Sequence, residues 1–167
     1  MSKIKENDNS PDKQTKIKPK IEDIASDYLD GDKLTNLLNF VAWLRANKMT
    51  PTFGSKSKIG ASYTTRVLYV KLSQESWYIW IAGKSSGCTD DFFNCEELNH
   101  YVASSLAPCK GCGHQCNSGK GFIKTVCGKD YDNICGCCPV RFHNPNADNL
   151  RIIMDVISKR NRSKVKE

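Results

Sequence analysis

Apolar side chains recur at helical spacing in "DKLTNLLNFVAWLRANK", where Leu34, Leu37, Leu38, Val41 and Leu44 form one stripe. The segment predicts a helix. Asp32 is the expected N-cap, its side-chain oxygen accepting from an orphan amide, and Asn47 followed by Pro51 marks the end. A shorter helix is expected before it, with Ile21, Ile24, Ala25 and Tyr28 on one face and Gly31 separating the two.

The period then changes. "RVLYVKL" and "WYIWIAG" are β-branched and aromatic, and "SQES" joins them as a four-residue connection, which predicts a β-hairpin. Both runs carry apolar residues at consecutive positions, so the hairpin is expected to be central or covered on each side. Residues 52–65, rich in Gly, Ser and Thr, read as loop or irregular strand.

"NCEELNHYVASSLAP" predicts a second long helix, opened by a capping-box spacing of Asn94 and Glu97 and stopped by Pro108. A Cys-rich stretch follows, with a short strand expected at "FIKTV". The last helix is expected from about "NPNADNL", with Pro145 at an early helical position and Leu150, Ile153, Met154 and Ile157 as its apolar stripe. Together these elements predict an α+β fold. Helices pack on a small antiparallel sheet with a β-hairpin core, and a Cys-rich, zinc-knuckle-like lobe is inserted before a C-terminal helix.

Charge changes this picture only at the ends. The chain of 167 residues carries a formal net charge of +7. Residues 1–20 hold six lysines against three acids, and residues 159–167 hold five bases against one acid. The stretch 21–158 is left balanced, at 14 bases and 14 acids. Both ends lack the apolar side chains needed to offset ordering entropy, so they read as disordered basic tails around a single domain, 21–158. Nucleic acid is expected to bind only weakly and non-specifically, through the tails. No apolar run follows the early lysines as in a signal peptide, and no segment approaches the ~20 apolar residues of a membrane span. A reducing cytoplasm is the expected compartment, where nine cysteines are poor material for structural disulfides.

Seven of those cysteines lie in the lobe, 109–138. Cys109 and Cys112 form one Cys-x-x-Cys pair, Cys135 and Cys138 another, with twenty-two residues between them. Zn²⁺ takes four soft ligands in a tetrahedron, and a two-residue gap lets one tight turn present two thiolates. The expected ligands are therefore Cys109, Cys112, Cys135 and Cys138. Cys116 is the first reserve, and Cys137, Cys127, His114 and His143 are further candidates. An iron–sulfur cluster is the nearest rival, because Cys109, Cys112 and Cys116 can supply three thiolates and Cys138 precedes a proline. A catalytic dithiol and plain burial are the remaining readings; Cys88 and Cys95 suit burial.

"LNFVAWLRANKM", "SWYIWI", "GKDYDNICGCCPVRFHNPNADNL" and the closing helix together resemble a family of small bacterial proteins, mostly clostridial, with a Cys-rich C-terminal part. The resemblance covers roughly residues 28–161. It implies a bacterial cytosolic protein with a helix, a Trp-bearing hairpin and a Cys-rich end. It brings no established activity and no functional residue.

No phosphate-cradling glycine loop, Ser-His-Asp arrangement or His-Glu-x-x-His motif occurs. The leading expectation is a non-enzymatic zinc-binding interaction or regulatory module for an unknown protein partner. The alternatives are a thiol-based or iron–sulfur redox enzyme or sensor, and a small-ligand binder using Trp43, Trp77, Tyr78 and Trp80.

Overall fold

The computed structural model describes residues 18–57, 59–81, 99–110, 121–126, 129–135 and 140–163. Its fold is α+β. Helix α1, Ile21–Ile24, runs into a 3₁₀ turn, Ala25–Asp27, and α2 spans Gly31–Ala46. Strands β1 (Thr52–Ser57), β2 (Gly60–Thr64), β3 (Leu68–Ser73) and β4 (Ser76–Ile81) follow. After helix α3 (Asn99–Ser104) come β5 (Phe122–Val126), β6 (Lys129–Ile134), β7 (Val140–His143) and helix α4 (Ala147–Ser163). One antiparallel sheet has the order β1-β2-β3-β4-β7, and β5 and β6 form a second, two-stranded sheet.

The start of α2 differs from the expected one. Asp30, not Asp32, occupies the cap position, and its side chain makes no cap hydrogen bond. Gly31 adopts a φ of +49°, open to glycine and strained for other residues, so the chain turns into the helix there and Asp32 falls within the first turn. The helix ends at Asn47 as expected. Lys48 is left-handed, and the amides of Lys48 and Met49 reach back to the carbonyls of Arg45 and Leu44 at 3.0 and 2.8 Å. That pairing satisfies the helix's last carbonyls.

Residues 52–65 are more regular than their composition suggests. Ala61 and Tyr63 are buried and alternate with Ser62 and Thr64, and the whole of β2 pairs with β3. Tertiary pairing outweighs weak strand propensity here. The β3–β4 connection is tighter than expected: Ser73 pairs with Ser76, leaving Gln74 and left-handed Glu75 as the turn.

The hairpin is central, as expected, with β3 and β4 both interior in the sheet order, and its two faces are unequally buried. Leu68, Val70, Leu72, Trp77, Ile79 and Ile81 are buried, while Tyr69 and Lys71 are exposed and Tyr78 and Trp80 half-buried. Tyrosine and tryptophan tolerate such positions because each joins an apolar body to a polar tip. The buried side joins Ile21, Leu37, Phe40, Leu44, Val140, Phe142, Leu150 and Ile153 in one core. Phe40 ties the layers together, with ring centroids 5.9 Å from Trp43 and 6.0 Å from Trp77.

Helix α4 is capped by Asn146, whose Oδ1 accepts from the Asn149 amide at 2.8 Å. Pro145 therefore precedes the cap instead of lying in the first turn. The helix continues to Ser163, past the boundary expected at residue 158, because extending a formed helix adds one hydrogen bond per residue ordered. Residues 1–17 and 164–167 lie outside the described residues. No helix among the described residues is long and apolar enough to cross a membrane.

Tyr63 ties the N-terminal segment to the sheet, its hydroxyl donating to the Pro19 carbonyl at 3.2 Å. Burial, reinforced by the nearby Asp23 and Glu22 carboxylates, pushes its phenol from 10.0 up to about 12. The folded state therefore holds the proton that the unfolded chain releases first. Stability is expected to fall as pH rises from 10 towards 12, and Tyr63→Phe is expected to make that fall shallower, leaving the share of Tyr101, whose phenol burial also raises, while costing about 1 kcal/mol at neutral pH. Urea unfolding across that range checks both. Phe40→Ala is expected to cost about 3–5 kcal/mol in the same assay.

Candidate metal centre

A short extended strap, residues 105–109, joins the end of α3 to β7 and β6. Helix α3 stops at Ser104, before the expected Pro108, because the next residues are drawn into two ladders. Leu106 bridges Val140 of β7, and the Arg141 amide donates to the Ser105 carbonyl at 2.9 Å. Two residues later Pro108 bridges Ile134 at the end of β6. Pro108 suits that position, since the ladder asks no amide of it: the bonds on either side run from Cys109 N to Asn133 O at 2.7 Å and from Cys135 N to Ala107 O at 2.9 Å.

This register sets the first cysteine of each Cys-x-x-Cys pair beside the other. Cys109 stands opposite Asn133 and Cys135 opposite Ala107, so the cysteines are diagonal neighbours across the Pro108–Ile134 bridge. In a regular ladder that diagonal spans about 7–8 Å. Two cysteine side chains can close on one ion across it, with zinc–sulfur bonds of about 2.3 Å. Both are buried, with 6% of Cys109 and 2% of Cys135 exposed. Burial suits a metal thiolate, because it withholds the sulfurs from water and oxidants.

Asn133 organises the segment between them. Its carbonyl accepts from Cys109 where the chain leaves, and its Oδ1 accepts from the Gly121 amide at 2.8 Å where the chain returns. A Cβ on Gly121 would lie 2.3 Å from the Asn133 carbonyl carbon, so only glycine fits so close. Asn133 itself is left-handed, at φ 58°, a conformation asparagine tolerates better than most residues. Asn133 thus clasps both ends of the stretch that contains Cys112, His114 and Cys116. Sequence reasoning missed it. The available signal was an asparagine two residues before Cys135, a residue type that accepts the left-handed turn.

Of the expected ligands, Cys109 and Cys135 are brought together. Cys112, Cys138, Cys116, Cys137, Cys127 and His114 lie outside the described residues, as do Cys88 and Cys95. Among the described residues no three His, Cys, Asp or Glu side chains gather into a metal-holding group. His143 is engaged elsewhere: it sits at the end of β7 far from the Leu106 bridge, its ring 4.8 Å from that of Tyr78.

The tryptophans do not share one site. Trp77 is fully buried against Phe40, which also stacks on Trp43, and Trp80 lies on the opposite face of the sheet.

No family model, curated protein or solved structure matches the chain.

Asn133→Ala is expected to lower stability by about 1–2 kcal/mol, through the strained left-handed alanine and the lost bond to Gly121. Asn133→Gly is expected to recover the backbone share only. Amide exchange at Cys109 and Gly121, read beside urea unfolding, separates the two contributions.

Proposed function

We propose that the chain is a non-enzymatic interaction module whose lobe, residues 109–138, folds around one zinc ion held by Cys109, Cys112, Cys135 and Cys138. The observation that carries this reading is the pairing of Cys109 with the segment of Cys135 across one bridge, which joins the starts of two Cys-x-x-Cys motifs distant in sequence. A glycine-rich stretch has little core of its own, so metal binding energy supplies the stability of its fold. A reducing, cytoplasmic setting keeps the thiols available as ligands. The lobe also presents large apolar side chains to solvent, with 46% of Phe122 and 67% of Ile123 exposed on β5, which suits contact with a protein partner.

Protein purified without oxygen is expected to contain about one zinc per chain, by elemental analysis, and no visible absorption. Cys109→Ser or Cys135→Ser is expected to release the metal and to loosen the lobe while leaving α2 and β1–β4 folded. Iron with sulfide and a brown colour would replace this reading with a cluster-based redox one. Metal-free protein whose thiols alkylate fast near neutral pH would replace it with a catalytic dithiol.

A further inference from the structure

The geometry points to the outer face of the five-stranded sheet, the one that carries Tyr69 and Lys71, as a binding platform for single-stranded nucleic acid. This inference stands on the sheet alone and does not depend on the metal centre.

Register defines the face. In one cross-strand row Thr52, Thr64, Tyr69, Trp80 and Arg141 follow one another; in the next, Ser55, Ser62, Lys71, Tyr78 and His143. Side-chain contacts agree with that assignment. Ser55 and Ser62 hydroxyls lie 2.9 Å apart, Lys71 Nζ is 5.0 Å from the Trp80 ring centre, and the Arg141 guanidinium is 4.6 Å from the same ring. The outward positions of these strands hold three large aromatics, two cations, a histidine and hydroxyls, and no acid.

Two features ask for an anionic, ring-bearing ligand. First, Lys71 and Arg141 are drawn to one indole, and neither is in an ion pair among the described residues. Two like charges at one ring repel each other until an anion joins them, and Arg141 Nε is shielded from water with no acceptor among the described residues. A phosphate supplies both the charge and the acceptors. Second, Tyr69 is 40% exposed directly opposite Trp80, with Tyr78 two residues along the same strand. Adjacent strands lie about 4.8 Å apart, so these rings form a compact stacking surface. A duplex hides its base faces and an acidic peptide lacks them; a single strand offers bases to the rings and phosphates to the cations. The balanced charge of residues 21–158 hides this patch, because a sum over the stretch does not show where on the fold each charge lies.

The test is fluorescence anisotropy of a labelled oligouridylate of about twelve nucleotides, titrated with the full chain at several salt concentrations. Tyr69→Ser is expected to weaken binding about tenfold with the salt dependence unchanged, and Tyr69→Phe to retain it, since stacking needs only the ring. Lys71→Gln is expected to weaken binding and lower the salt slope by about one. Arg151→Gln removes the same charge from an exposed position on α4 and is expected to change affinity less than either. The proposal is overturned if Lys71→Gln and Arg151→Gln weaken binding equally and Tyr69→Ser has no effect, which would assign binding to the basic ends. It is equally overturned if the oligonucleotide does not bind, or if polyglutamate binds as tightly and shows the same loss with Lys71→Gln.

Discussion

Each residue of β3 and β4 must place its side chain on one of two faces, and the described helices α2 and α4 pack against one of them. That alternation governs most of the molecule. Leu68, Val70, Leu72, Trp77, Ile79 and Ile81 turn inward to meet Phe40, Leu44 and Ile153. The residues between them are committed to the other side, whatever their hydrophobicity. A slip of one residue would bury Lys71 and expose Val70, so register and core fix each other.

The strap that leads to Cys109 also depends on this sheet. Leu106 extends the ladder beyond β7, and Pro108 begins a second ladder on β6 only two residues later. The strap thereby converts a helix end into a strand pairing and delivers Cys109 to the neighbourhood of Cys135. Asn133 then closes the excursion between Cys109 and Gly121 with one carbonyl and one side-chain oxygen. Here backbone hydrogen bonds do the positioning that apolar packing does in the main core.

Between the two regions the chemistry divides. Among the described residues, the inner face and helices hold most of the buried apolar side chains, Cys109 and Cys135 lie beyond the strap, and the outer face carries aromatic rings beside two cations that make no ion pair.

The sequence by itself determined the helices α2 and α4, the β3–β4 hairpin and the α+β class, since each rests on a local period that repeats over many residues. It also determined which thiols come in pairs, because a two-residue spacing is a local property. Only the tertiary structure decided the strands β1, β2, β6 and β7: they are short or polar, and pairing with neighbours makes them strands. It alone put Cys109 beside Cys135, gave Asn133 its role, sent Trp77 and Trp80 to opposite faces, and gathered Lys71 and Arg141 at one ring. These are contacts between residues distant in the chain, and a count of charges or an apolar period carries no information about which distant segments share a register.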